Sequence, residues 1–220
     1  MSDNVISMRG GVYRIGDRVL WEGVDADVSP GQIVAVTGPS GCGKTTLLNC
    51  FGLLDSLSQG SLHLFGTDIA TMSQRQARKL RRSTLSYLFQ DFALIDTDSV
   101  EQNVSVAMPP RTPRSARADV GDQALEKVGL GGRGKEKVFS LSGGEQQRVS
   151  FARILVRQPR LILADEPTAS LDKHNADRVM SLLREQAERG AAVVVVTHDE
   201  RVRDQCMSTV DLSRYSPRAS

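Results

Sequence analysis

The run Gly38-Pro39-Ser40-Gly41-Cys42-Gly43-Lys44-Thr45 has the spacing G-x-x-x-x-G-K-[ST] of a phosphate-binding loop. Its glycines let backbone amides close around phosphate oxygens without Cβ obstruction, and the amides together with a following helix N-terminus stabilise anionic charge. Lys44 is placed to reach the outer phosphates, the Thr45 hydroxyl to ligate Mg²⁺, and Thr46 follows in the same turn. Far downstream, Asp165-Glu166 ends the apolar run Leu161-Ile162-Leu163-Ala164. Strand alternation sends neighbouring side chains to different sides, so Asp165 is expected in the Mg²⁺ shell while Glu166 polarises an attacking water. Taken alone, the same pair reads equally as a solvated acidic turn.

These residues need elements to hold them. The apolar stretch Ile33-Val34-Ala35-Val36 predicts a strand leading into the loop, and Lys44 to about Phe51 predicts the helix behind it. Upstream, Val5 to Val36 reads as short strands turning at Gly10-Gly11 and Pro30-Gly31. Further strands are expected near Leu62–Phe65, Leu85–Phe89, Leu161–Ala164 and Ala192–Val196, the last β-branched enough to be buried on both faces of a parallel sheet. A helix starts at Ser73, where Ser73 and Gln76 have capping-box spacing, and another runs from about Asp172 to Glu188. Between Val100 and Val128 the pattern turns helical, broken at Pro109-Pro110 and Pro113, with Pro109–Ser115 the best hinge candidate.

The chain has 220 residues, enough for one α/β domain with a small insertion. Its 28 Lys+Arg against 26 Asp+Glu give a net charge of +2, too balanced for charge alone to indicate a nucleic-acid or membrane partner. Cys42, Cys50 and Cys206 form an odd set without metal-type spacing, which fits reduced thiols in a cytosolic compartment. The N-terminal residues have neither a basic flank nor a signal-type apolar stretch, and no apolar run is long enough to cross a bilayer. Arg75, Arg78, Lys79, Arg81 and Arg82 cluster on one expected helix, which fits a solvated face or a contact with acidic lipid headgroups or a partner's loop.

Between the phosphate loop and Asp165-Glu166 lies Leu141-Ser142-Gly143-Gly144-Glu145-Gln146-Gln147-Arg148. With that run in that order, the chain from about Tyr13 to His198 resembles the ATP-binding-cassette (ABC) ATPases. The resemblance implies a P-loop NTPase of ABC architecture: a mostly parallel core sheet, an N-terminal antiparallel β part, and a helical subdomain at about residues 91–157 inserted in the RecA-like core of a single domain spanning 1–220. It implies ATP and Mg²⁺ as cofactors, and ATP hydrolysis completed by a second ATP-binding subunit, with a homodimer the expected form. Ser142, Gly143, Gly144 and Glu145 would face the γ-phosphate of ATP held by the opposite subunit, although Ser142 and Glu145 also form an ordinary helix start. Gln90 matches the family's glutamine loop, sensing Mg²⁺ and water, and His198 its switch histidine. Ser170-Leu171-Asp172 matches the loop that crosses between subunits, with Asp172 equally a helix N-cap. Tyr13, ahead of the first apolar strand, is the candidate for stacking on adenine or for ordinary packing.

Within the family, Tyr87 to Asp96 followed by Val100-Glu101-Gln102-Asn103-Val104 resembles the ATPases of lactococcin-type bacteriocin exporters, grouped with lipoprotein release and macrolide export. The implied partner is an integral membrane permease and not nucleic acid, and the implied place is the cytoplasmic face of the cell membrane, bound peripherally. The substrate class would be a peptide, bacteriocin, lipoprotein or drug. A regulator that controls a cell-wall hydrolase through a membrane protein, without transport, has the same motifs.

Overall fold

A computed structural model describes residues 4–169 and 171–216. Among the described residues, two sheets and seven α-helices follow one another as β1 (Ile6–Ile15), β2 (Arg18–Val28), β3 (Ile33–Thr37), α1 (Lys44–Phe51), β4 (Gln59–Leu64), β5 (Thr67–Asp68), α2 (Gln74–Ser83), β6 (Leu85–Leu88), α3 (Val100–Ala107), α4 (Arg117–Lys127), α5 (Gly143–Arg157), β7 (Leu161–Asp165), α6 (Lys173–Glu188), β8 (Ala192–Val196), α7 (Glu200–Arg203) and β9 (Ser208–Asp211). The order β6-β7-β8-β3-β9 makes a wholly parallel sheet, and β2-β1-β4-β5 an antiparallel one. The expected α/β architecture is therefore present.

Alternation along the parallel strands divides the core. Val34, Val36, Leu161, Leu163, Val194 and Val196 face the antiparallel sheet and α1, where Trp21, Leu47 and Phe51 are fully buried. Ile33, Ile162, Ala164, Val193 and Val195 face the other way, onto a cluster shared with Val104 of α3, Leu125 of α4, Phe151 of α5 and Leu183 of α6. Each such buried aliphatic side chain contributes about 1.5–3 kcal/mol, so the strands read as continuous apolar runs because both faces are covered.

The helix starts are set locally. Ser73 with Gln76, Ser99 with Gln102, and Ser142 with Glu145 each form reciprocal capping boxes. The Asp172 side chain accepts from the Asn175 amide at the start of α6.

One expectation is overturned, and one strand is present with shifted ends. Gly10-Gly11 is not a turn: β1 runs straight through it, and the pairing register with β2 shifts between Met8 and Gly11. Gly10 at φ 55 marks a bulge in one long strand, and the chain reverses at Gly16-Asp17 instead. The strand expected at Leu62–Phe65 begins earlier, at Gln59, and stops at Leu64 because Phe65 is left-handed at φ 51.

Candidate functional site

Strand register brings the separated motifs to one edge. Leu88 pairs with Ala164, Asp165 with Val196, and Val36 with Val196. Gln90, Asp165-Glu166, His198 and Gly38 therefore all emerge just beyond the carboxyl ends of four adjacent parallel strands. That is where open parallel sheets place their ligands.

The loop between β3 and α1 is shaped by its glycines. Gly38, Gly41 and Gly43 have φ of 144°, 75° and 94°. A Cβ on Gly38 would lie 2.7 Å from Cys42 Sγ, and one on Gly43 would lie 2.8 Å from Trp21 Nε1, so neither position has room for a side chain. Pro39, Ser40 and Gly41 are exposed, and Cys42 is buried beneath them. The N-cap of α1 is Gly43, which offers no side-chain cap and leaves the first amides of α1 as donors for an anion. Lys44 Nζ donates to Gly38 O at 3.0 Å and Pro39 O at 3.2 Å, which holds the ammonium over the loop.

Asp165 ends β7 half-buried, and burial pushes its carboxyl above the ordinary range, opposed by the Thr45 side chain and the Lys44 charge. The Thr45 hydroxyl and the Asp165 carboxylate thus form a hard-oxygen pair beside the lysine, a donor set suited to Mg²⁺. Residue 166 leaves the strand. Glu166 has φ 47, a left-handed conformation that costs a non-glycine residue about 1–3 kcal/mol. This turn, rather than strand alternation, separates the two carboxylates, which corrects the simpler expectation. Its amide still reaches Val196 O at 3.0 Å, locking the turn to β8.

The Glu166 side chain is 15% exposed, and its Oε1 lies 2.9 Å from His198 Nδ1. The imidazole is itself 69% exposed. Thr197, buried just before it, accepts from the Asp199 amide and fixes the strand exit.

Gln90 is exposed at the end of β6, followed by Phe92 and Ala93 at φ 62 and 47. The turn is anchored behind it, where Tyr87 and Phe89 stack at 4.8 Å and the Tyr87 hydroxyl donates to Leu48 O. Tyr13 lies on β1 with its ring 5.6 Å from that of Trp21, the indole beneath Gly43. Its hydroxyl donates to Asp55 at 2.5 Å, which raises its pKa to about 12. Thr46 is half-buried in the first turn of α1.

Ser142, Gly143, Gly144 and Glu145 stand apart from this cluster. Glu145 caps Ser142 and pairs with Arg133, whose guanidinium, aided by the Ser142 amide and hydroxyl, holds the Glu145 carboxyl down at about 2. No hydrogen bond among the described residues joins Ser142–Glu145 to the phosphate loop, Asp165, Glu166 or His198. Ser170 lies outside the described residues; its neighbour Leu171 packs against the helical core cluster, and Asp172 serves as N-cap of α6.

Two further contributors, Arg148 and Asn175, meet only in the fold. Arg148 Nη1 donates to Asn175 Oδ1 at 2.8 Å, and Asn175 Nδ2 donates to Asp172 Oδ2 at 2.7 Å. A Cβ on Gly144 would come within 3.3 Å of Asn175. Asn175 thereby joins the glycine run at the start of α5 to the start of α6, and no local motif marks it.

A family model described as ABC transporter matches residues 21–169. The lipoprotein-releasing system ATP-binding protein LolD of Anaeromyxobacter dehalogenans (strain 2CP-C) is 42% identical over 193 residues, which cover 86% of this chain and 81% of that protein. The macrolide export ATP-binding/permease protein MacB of Escherichia coli (strain K12) is 38% identical over 203 residues, 91% of this chain but only 31% of MacB. The chain thus spans under a third of that longer relative. Among solved structures, a dimeric ATP-binding cassette in a post-hydrolysis state bound to ADP and Pi superposes with a TM-score of 0.83 at 30% identity, covering 94% of this chain and 93% of the other. The cbiO1 protein of Clostridium perfringens, part of the ABC transporter complex cbiONQ, gives a TM-score of 0.85 at 29% identity, covering 96% of this chain and 85% of the other.

Proposed function

This chain belongs to the ABC transporter family as an ATP-binding, ATP-hydrolysing subunit, and from that membership we propose that it powers a membrane exporter or force-transmitting complex for a peptide, bacteriocin, lipoprotein or drug. Likeness to proteins named for lipoprotein release and macrolide export supports the finer reading. Those relatives favour export over the regulation of a cell-wall hydrolase.

The observation that carries the chemistry is the Glu166–His198 contact beside Asp165. His198 occupies Oε1, so Oε2 is the atom left to orient water and accept its proton as the water attacks the terminal phosphorus. His198 keeps the carboxylate aimed. Lys44, the amides of Ser40 to Thr46, and the start of α1 bind the phosphates, and Tyr13 offers a face to the adenine. Thr45 and Asp165, with Gln90 at the same edge, would hold Mg²⁺, which when bound neutralises charge on the phosphate oxygens. Ser142, Gly143, Gly144 and Glu145 act on nucleotide held by a second copy of the chain, which gives a homodimer with two composite sites.

In this reading residues 91–157 are a helical subdomain inserted in one domain spanning 1–220, and the permease docks in a groove of about 270 Å³ next to Gln90, lined by Leu54, Tyr87, Phe89, Phe92, Val106 and Ile154. No helix among the described residues is long and apolar enough to cross a membrane, and in this reading the permease holds the chain at the cytoplasmic face. The test is purification of Glu166→Gln with ATP from gently solubilised cells, with mass spectrometry of what accompanies it. Recovery of an integral membrane permease is the expected result; recovery of ribosomal or nucleic-acid-bound proteins alone would overturn the transporter reading.

A further inference from the structure

The basic residues of α2 do not lie on a plain solvated face. Ala77 and Leu80 turn inward, while Arg75, Arg78, Lys79 and Arg82 stay exposed and line one wall of a cleft of about 390 Å³. Pro109 and Pro110, exposed and conformationally stiff, form part of the opposite wall. Arg157, from the last turn of α5, lines the same cleft. Its Nη2 donates to Arg81 O at 2.5 Å, while its Nε is buried and has no partner. Burial, with the like charges of Arg153 and Arg82, pushes the Arg157 pKa down.

No carboxylate lines the cleft, and among the described residues none of these cations takes part in an ion pair. Like charges converging from two elements without a counter-charge repel one another, and a bound anion relieves that repulsion. We propose that the cleft between α2 and the end of α5 binds the phosphate groups of an anionic phospholipid surface.

The site is dominated by arginine, whose planar fork matches phosphate oxygens in pairs where lysine offers a point charge. The cleft adjoins the permease groove at Arg157, and that groove's rim carries Leu54 and Val106 at 53% and 62% exposure. Four cations that are all exposed along one wall suit an extended headgroup surface better than an enclosed pocket for a free soluble anion. The proposal rests on the membrane setting argued above, but it uses none of the nucleotide-site residues.

The experiment is sedimentation of the nucleotide-free chain with phosphatidylcholine vesicles, with and without phosphatidylglycerol. Wild type should sediment only with the anionic vesicles and be released by salt. At about one kcal/mol per cation near such a surface, the triple variant Arg75→Ala, Arg78→Ala, Arg82→Ala should bind on the order of 100-fold more weakly. A charge-matched variant at exposed positions elsewhere, Arg14→Ala, Arg18→Ala, Arg189→Ala, should bind like wild type. Equal binding to neutral vesicles, an undiminished triple variant, or capture by polyglutamate or inorganic pyrophosphate without vesicle binding would each overturn it. ATP hydrolysis measured on the same proteins separates the two proposals: vesicle binding can fail while the ATPase stands.

Discussion

At the scale of single residues, the proposed site gives two adjacent carboxylates different surroundings. Asp165 stays at the strand end beside Thr45 and Lys44, while a left-handed turn carries Glu166 toward His198. The phosphate loop and the acidic pair were legible because each is a run of consecutive residues whose types suffice. The Glu166–His198 contact joins residues 32 apart and became visible only once β7 and β8 were neighbours. Glu145 yields a pH prediction. Its carboxyl sits at about 2 in the folded chain against an ordinary 4.5, chiefly through Arg133. Between those values the unfolded chain binds more protons, so its contribution is complete above about pH 4.5 and is lost as pH falls toward about 2. The difference in thermal midpoint between wild type and Glu145→Gln should accordingly be largest near neutrality and shrink on acidification. A pH-independent gap would contradict the assignment.

At the scale of elements, the capping boxes and apolar strands follow from local pattern, and α1, α2 and α6 fall within a residue or two of where capping and periodicity put them. What escaped was longer in range. Gly10-Gly11 signals a turn as well as a bulge, and only the partner strand decides between them. Strand β9, Ser208–Asp211, is short and partly exposed, so it offers no apolar run, and its place beside β3 comes from pairing alone. The Arg148–Asn175–Asp172 chain was equally invisible. It ties the start of α5 to that of α6, and Arg148 already has a buried Nε without a partner. Asn175→Ala should therefore cost about 1–3 kcal/mol of stability in urea unfolding, since it leaves a half-buried guanidinium short of an acceptor. An unchanged midpoint would show that the link is slack.

At the scale of the whole molecule, no hydrogen bond among the described residues joins the two halves of the proposed chemistry. The strand-end cluster gathers the phosphate loop, Asp165, Glu166 and His198, whereas Ser142–Glu145 makes its hydrogen bonds with Arg133 and within its own turn. A second copy would supply the missing half to each nucleotide, so ATP binding would join two chains and hydrolysis would release them. The most direct test is the mass in solution of Glu166→Gln with and without ATP, alongside its hydrolysis rate. Removing the positioned base should lower hydrolysis by about 10²–10⁴-fold while ATP binding persists, and the protein should be a dimer with ATP and a monomer without it. A variant that binds ATP yet stays monomeric, or that hydrolyses at the wild-type rate, would contradict the composite site.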